Sequence, residues 1–311
     1  MNWKDVGCYN CGILCSKIAK WDDHEVEGPE YETTAFLGSG CLISNSKDVA
    51  WANELCDDLG MDTISAGVTC SFAMECFEKG FVDNWSGIDL KWGNAIAQRE
   101  FLNKMALRKG VGEIFADGTK IAAEKIGKSS AEFAINIFGM ELSGVNLKGA
   151  FTMAVVLSVA DFASHTRLWC VDVDMGTEYK IEDVPSTVAD GLDEINARNS
   201  LVICDFVPYG FDRLAPVLNA ATGFDYSQED LMRLGTKITH LARRYNIRNG
   251  RKHTDDTLPD RFFDEESISG LMAGKKIDRE FFKNIIQKYY SLRGWNEQGI
   301  PTDETLSKFD L

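Results

Sequence analysis

The sequence predicts a mainly α protein built from two packed helical domains with few short strands. Three observations carry this. The 311 residues exceed what one hydrophobic core usually organises, so two domains sharing an interface are expected. Only six prolines interrupt the chain, which leaves room for long helices. Apolar residues mostly recur three or four positions apart, and alternating runs are confined to residues 166–173 and 201–207, which read as short strands.

Taken in order, residues 1–45 are rich in Gly, Cys, Pro and acidic residues and show little helical periodicity, which predicts irregular structure around a site. Helices are expected over Ser46–Leu59 and over residues 94–109, both amphipathic. Ser129-Ser130-Ala131-Glu132 has the spacing of a capping box. Gly and Asn punctuate residues 143–150, which places a domain boundary there and gives domains of 1–145 and 146–311. Over residues 227–245, Leu231, Leu234, Ile238, Leu241, Ala242 and Tyr245 mark one face of a helix expected to be buried.

Composition excludes several classes. Hydrophobic residues at 44% and charged residues at 26% are ordinary for a soluble globular chain, and no run of about 18 apolar residues offers a membrane span. Met1-Asn2-Trp3-Lys4-Asp5-Val6 lacks the layout of a secretory signal, so a cytoplasmic location is expected. A net charge of −15 argues against nucleic acid, whose binding draws on Lys and Arg neutralising phosphates.

Nine cysteines are an odd number, and a reducing compartment disfavours a disulfide framework. Cys41, Cys56, Cys70, Cys76 and Cys170 sit among apolar residues and read as core. The others differ. Cys8, Cys11 and Cys15 form a C-x2-C-x3-C run whose thiolates can converge on one metal centre; an iron–sulfur cluster leads, with zinc as the rival. Among the histidines, His24, His240 and His253 lie in polar stretches and are expected to be solvated, whereas His165 is either a satisfied buried imidazole or a proton shuttle.

Several motifs in one order, from the cysteine run onward, resemble the tungsten-dependent aldehyde ferredoxin oxidoreductase family. They are Glu27-Gly28-Pro29-Glu30-Tyr31-Glu32-Thr33, Leu59-Gly60-Met61-Asp62-Thr63, Ala73-Met74-Glu75-Cys76, Ala221-Thr222-Gly223, Asn246-Ile247-Arg248, Asp256-Thr257-Leu258-Pro259 and Ser291-Leu292-Arg293-Gly294-Trp295. The resemblance spans the whole chain and implies that family's second and third domains, with a 4Fe4S cluster beside a tungsten (or molybdenum) bis-pyranopterin. The first 145 residues would then be part of the second domain, holding the cluster and pterin segments, and residues 146–311 the C-terminal helical domain.

Carried over by position, the resemblance makes Cys8, Cys11, Cys15 and Cys204 the cluster ligands. It makes Asp57-Asp58-Leu59-Gly60-Met61-Asp62 a pterin segment of the form D-x-x-G-L-(C/D), with Asp57 and Asp62 accepting hydrogen bonds from pterin N–H groups. The second such segment departs from the pattern, with Asn199 where the family has Asp and Val202 where it has Gly; Ile203 and Cys204 follow. Glu30 or Glu32, and His165, match the family's catalytic carboxylate and histidine.

The resemblance further implies an aldehyde-oxidising enzyme that passes electrons through the cluster to ferredoxin or an electron-transfer subunit. A separate polypeptide would supply the N-terminal pterin-binding domain, and the substrate would be a small molecule. Two alternatives stand beside it: an aromatic acyl-CoA reductase subunit of the benzoyl-CoA type, and a non-catalytic electron-transfer or scaffold subunit.

Overall fold

The computed structural model describes residues 1–176, 178 and 180–311. They form two compact units, Met1–Val145 with Pro259–Arg261, and Asn146–Leu258 with Phe262–Leu311. Among the described residues no helix is long and apolar enough to cross a membrane.

The first unit opens on regular structure, which corrects the irregular reading of its first residues. Strands β1 (Asn2–Val6), β2 (Ser16–Trp21) and β3 (His24–Glu27) form an antiparallel sheet in the order β1-β2-β3. Asn2 pairs with Lys20, Val6 with Ser16, and Trp21 with His24 across the β2–β3 turn. Only Ala19, Trp21 and Val26 turn inward, against Ala50, so the strands are too exposed for an apolar pattern to reveal them. His24 is not solvated either. Its ring stacks on Trp51, tilts against Trp21, and its Nε2 lies 3.1 Å from a Glu54 carboxylate oxygen.

The helices of this unit begin where capping chemistry permits. In α1 (Ser46–Leu59) the Asn45 side chain accepts from the Lys47 N–H at 2.9 Å. In α2 (Thr63–Glu78) Asp62 accepts from the Ser65 N–H at 2.7 Å, and in α3 (Ala95–Ala106) Asn94 accepts from Ala97 at 3.2 Å. Helix α4 (Gly118–Ile126) follows. Phe72, Met74, Phe101, Phe115 and Phe133 build the core between them. Gly67 on α2 is required there, since a Cβ would lie 2.6 Å from that of Phe36. The capping box expected at Ser129 does not form: its φ of 64° is left-handed, whereas an N-cap needs extended backbone, and only a 3₁₀ turn (Ser130–Phe133) follows. A short pair, β4 (Asn136–Ile137) and β5 (Met140–Glu141), ends the unit.

The second unit contains α5 (Phe151–Val159), apolar on nearly every side and buried accordingly, with α6 (Val184–Ser200), α7 (Phe211–Thr222), α8 (Gln228–Arg248) and α9 (Arg279–Leu292). Neither expected strand exists. Residues 166–173 hold a 3₁₀ turn (His165–Arg167) and the start of a short helix (Val171–Met175), and residues 201–207 are turns.

Helix α8 begins on a capping box of Ser227 and Asp230, but its buried face is not the apolar one expected. Leu231, Gly235, Thr239, His240 and Arg243 are buried, whereas Leu241 and Tyr245 are exposed. The reason is a polar core. Asp193 on α6 accepts from Arg293 NH1 at 2.8 and 2.7 Å and from the Thr236 and Thr239 hydroxyls, each at 2.7 Å. Nearby, Asp256 accepts from Arg243 at 3.0 Å, from Arg251 at 3.0 Å and from the Tyr290 hydroxyl. His240, only 1% exposed, accepts through Nδ1 from the Trp295 indole N–H at 3.0 Å, which also corrects its solvated reading. Helices α6 and α8 approach so closely at Gly235 that a Cβ there would meet the Asp193 carbonyl oxygen at 1.9 Å.

Candidate functional site

The nine cysteines divide cleanly by exposure. Cys41, Cys56, Cys70, Cys76 and Cys170 are buried; Cys8, Cys15 and Cys204 are exposed and Cys11 is half-buried, and all nine are free thiols. Burial, with nearby carboxylates second, pushes the Cys56, Cys76 and Cys170 thiols up to about 12, so these sulfurs stay protonated and inert.

Cys8, Cys11 and Cys15 lie on the loop between β1 and β2. The Cys11 N–H donates to the Cys8 carbonyl at 3.0 Å, and Asn10 and Leu14 take left-handed φ values of 59° and 52°. Gly7 lets this loop fold back on itself, since a Cβ would lie 3.1 Å from the Leu14 Cα. Soft thiolates on an exposed loop fit an iron–sulfur cluster by donor chemistry. Among the described residues, no three His, Cys, Asp or Glu side chains are gathered into a metal-holding group.

The two carboxylates of the Glu30-Tyr31-Glu32 segment have different surroundings. Glu30 is exposed and accepts from the Ser16 hydroxyl at 3.1 Å, which sets it beside the end of the cysteine loop. Glu32 is 8% exposed and accepts from the Gly144 N–H at 2.6 Å, while the Tyr31 hydroxyl donates to the Gly144 carbonyl. Glu32 is therefore a structural anchor as well as a candidate acid.

The segment from Asp57 to Asp62 joins α1 to α2. Gly60 takes φ 68°, and the Met61 N–H returns to the Cys56 carbonyl at 2.8 Å, closing α1 in a Schellman-type turn. Asn53 Nδ2 donates to both the Glu27 carbonyl (2.9 Å) and Asp57 Oδ2 (3.0 Å), which fixes the Asp57 side chain. Burial, followed by Glu27, raises its carboxyl above the usual value. One Asp62 oxygen caps α2, so only its other oxygen is left for a ligand.

The second segment is placed by residues the sequence did not single out. Buried Arg198 donates to the carbonyls of Val207 and Tyr209, each at 2.6 Å, and Ile203 packs on the cluster of Ala197, Phe211, Leu214 and Leu231. Cys204 is thereby held outward on a pinned loop. The Asn199 amide, oriented to satisfy both neighbours, accepts from Arg167 NH1 at 3.0 Å and donates to Asp205 at 3.2 Å. Arg167 also donates to Asp161 at 2.6 Å and to Asn196, and it shares its 3₁₀ turn with His165. His165 is half-buried with its ring edge-on to Trp169. Asn199 is thus committed to its protein neighbours, whereas Asp57 keeps an acceptor oxygen.

At Val202 the backbone is left-handed, φ 56°, on a β-branched side chain that is 93% exposed. Gly60 has the matching place after α1. Because a Cβ in this region costs about 1–2 kcal/mol, less what glycine adds to unfolded-chain entropy, Val202→Gly is expected to stabilise the protein by about 1 kcal/mol. Urea unfolding at constant m-value measures it; an unchanged midpoint would refute the strain.

Sequence reasoning did not find Arg167, Arg198, Asn53 or Ser16. Asn53 carried a signal, being four residues before Asp57 on one helix face. Arg198 likewise stands four residues after its ion-pair partner Glu194, whereas Arg167 and Ser16 lie six and fourteen residues from Asp161 and Glu30.

Comparison with known proteins gives a consistent result. All 311 residues match the family model "Aldehyde ferredoxin oxidoreductase, domains 2 & 3". The chain is 31% identical to the tungsten-containing aldehyde ferredoxin oxidoreductase of Pyrococcus furiosus, covering 98% of this chain and 52% of the relative. It is 31% identical to the corresponding protein of Thermococcus kodakarensis, at 96% and 51% coverage. The aliphatic sulfonate oxidoreductase WOR-like subunit of P. furiosus is 28% identical, at 99% and 50%. The chain therefore spans about half the length of these relatives. In fold it is similar to a chain of the active site complex BamBC of benzoyl coenzyme A reductase, solved with 1,5-dienoyl-CoA, with a TM-score of 0.83, 21% identity, and coverage of 99% of this chain and 52% of that one.

Proposed function

The chain belongs to the aldehyde ferredoxin oxidoreductase family, as its domains 2 and 3, and on that premise we propose that it is the cluster-bearing part of a tungstopterin enzyme that oxidises aldehydes to carboxylic acids. The observation that carries this reading is the division of the cysteines. The cysteines left exposed or half-buried are Cys8, Cys11, Cys15 and Cys204, the four that the resemblance would make the cluster ligands.

When bound, the metal–pterin group supplies two-electron exchange with substrate, and the cluster passes electrons on singly to a ferredoxin or an electron-transfer subunit. The chain's own residues position and move protons. Asp57, fixed by Asn53, and Asp62, Gly60 and Met61 offer acceptors and a tight backbone turn to a pterin edge. Asn199 and Ile203 form the second segment, where contact is weaker because the amide already serves Arg167 and Asp205. Glu30, next to the cysteine loop, is the better placed of the two glutamates to exchange a proton, while Glu32 holds the chain at Gly144. His165, half-buried beside Trp169, is the proposed proton carrier of the second unit. A second polypeptide is proposed as the source of the remaining pterin-binding domain.

Aromatic acyl-CoA reduction is the second reading, favoured by the fold likeness to benzoyl coenzyme A reductase. Anaerobic purification with metal, sulfide and pterin analysis tests the whole reading. About four irons and four sulfides per chain are expected, lost on Cys11→Ala or Cys204→Ala, together with tungsten or molybdenum and pterin in the assembled complex. Viologen-coupled assays of aldehydes against aromatic acyl-CoA thioesters separate the two substrates. Stoichiometric zinc without sulfide would overturn the cluster, and a complex without pterin would leave the electron-transfer or scaffold reading.

A further inference from the structure

The second unit carries an open cleft of about 1070 Å³ with no part in the chemistry above. One wall is the exposed C-terminal half of α8, with Leu241, Arg244, Tyr245 and Arg248; Phe162 and the segment bearing Ile300, Pro301 and Leu306 complete it. Arg244 and Arg248 stand four residues apart on one helix face, so their guanidinium groups serve the same opening. Among the described residues neither has a carboxylate partner, although the chain has a net charge of −15. Two carboxylates also line the cleft: Asp161 is neutralised by Arg167, which leaves Asp303 against two cations. The Arg248 guanidinium sits 5.7 Å from the centroid of the Tyr245 ring, itself 59% exposed, so charge and a flat apolar surface are presented together.

We propose that this cleft binds a small organic anion joined to a planar ring, with Arg244 and Arg248 pairing the anionic group and Tyr245 and Phe162 receiving the ring. Its size suits a small-molecule site, and arginine forks are suited to planar carboxylate and phosphate groups. The Arg167 guanidinium covers one face of Phe162 at 4.9 Å, so a ligand ring would meet the exposed remainder of Phe162 and of Tyr245 while its charge meets Arg244 and Arg248; neither part alone suffices. None of Arg244, Tyr245, Arg248 and Phe162 belongs to the cluster, pterin or proton-transfer sets, although Arg248 lies in the Asn246-Ile247-Arg248 motif of the family resemblance.

The test is calorimetric titration of the full chain at low salt with ADP, with adenosine and with inorganic pyrophosphate. ADP should bind, and each of the other two should bind at least about tenfold more weakly. Arg244→Ala, Arg248→Ala and Tyr245→Ala should each weaken ADP by a similar factor, with Lys288→Ala, on the exposed side of α9, unchanged. Circular dichroism of each variant separates lost binding from lost fold. Equal binding of pyrophosphate and ADP, indifference to the arginine variants, or tighter binding of an oligoglutamate peptide than of ADP would each overturn the proposal.

Discussion

Asp193→Leu should cost about 3–5 kcal/mol of stability, the effect of stripping a buried cation of its counter-ion. Arg293 is 6% exposed and places NH1 2.8 and 2.7 Å from the two Asp193 oxygens, while Thr236 and Thr239 donate to the same carboxylate. Removing Asp193 leaves the guanidinium desolvated with only neutral partners, the Tyr289 hydroxyl and the Ala189 carbonyl. The loss comes from that orphaned charge, so the double variant Asp193→Leu/Arg293→Met should recover most of it. Urea unfolding of both variants decides the matter. A double variant as unstable as the single one would show that the pair is not the cause.

His240 makes stability depend on pH, with an expected effect of about 3 kcal/mol. Its pKa is lowered to about 4 from 6.5, first by burial and then by Arg293, with Asp193 acting in the opposite direction. The sign follows. Between about 6.5 and about 4 the unfolded chain binds a proton that the folded one refuses, so the contribution is fully present above 6.5 and drains away as pH falls to 4. His240→Gln keeps an acceptor for the Trp295 N–H and has no titration. The difference in unfolding free energy between the two proteins should therefore grow across that window, in favour of the variant at low pH. A constant difference from pH 7 to pH 4 would mean that His240 is protonated in the fold without penalty.

These two residues also explain where the sequence was legible. The helices at Ser46–Leu59 and over residues 94–109 were readable because their apolar residues recur at helical spacing; the second stops at Ala106, short of the expected end, and the Asn45 and Asn94 caps appear only in the structure. Helix α8 was readable as a helix, but not for its orientation, since Thr239, His240 and Arg243 form its inward face and their partners lie on other elements. Apolar periodicity cannot show a core made of paired charges. The β1–β3 sheet escaped notice for the opposite reason: its strands are largely exposed, so no alternation was needed. Residues 166–173 misled because the apolar positions there do not mark a buried face: Trp169 is exposed and the short helix Val171–Met175 has no buried residue. At the site, residue types with strong donor chemistry, above all the cysteines, could be picked out, whereas the arginines and amides that hold them could not.

The clamp at Gly144 has a mechanical consequence. Tyr31 and Glu32 grip both the carbonyl and the N–H of that residue, and their neighbour Glu30 is tied to Ser16, the residue after Cys15. The backbone leaving the first unit at Val145 is thus moored one short segment away from the cysteine loop. The end of the first unit and the end of the thiol loop are thus held by one three-residue segment, Glu30-Tyr31-Glu32, so a change in that segment touches both.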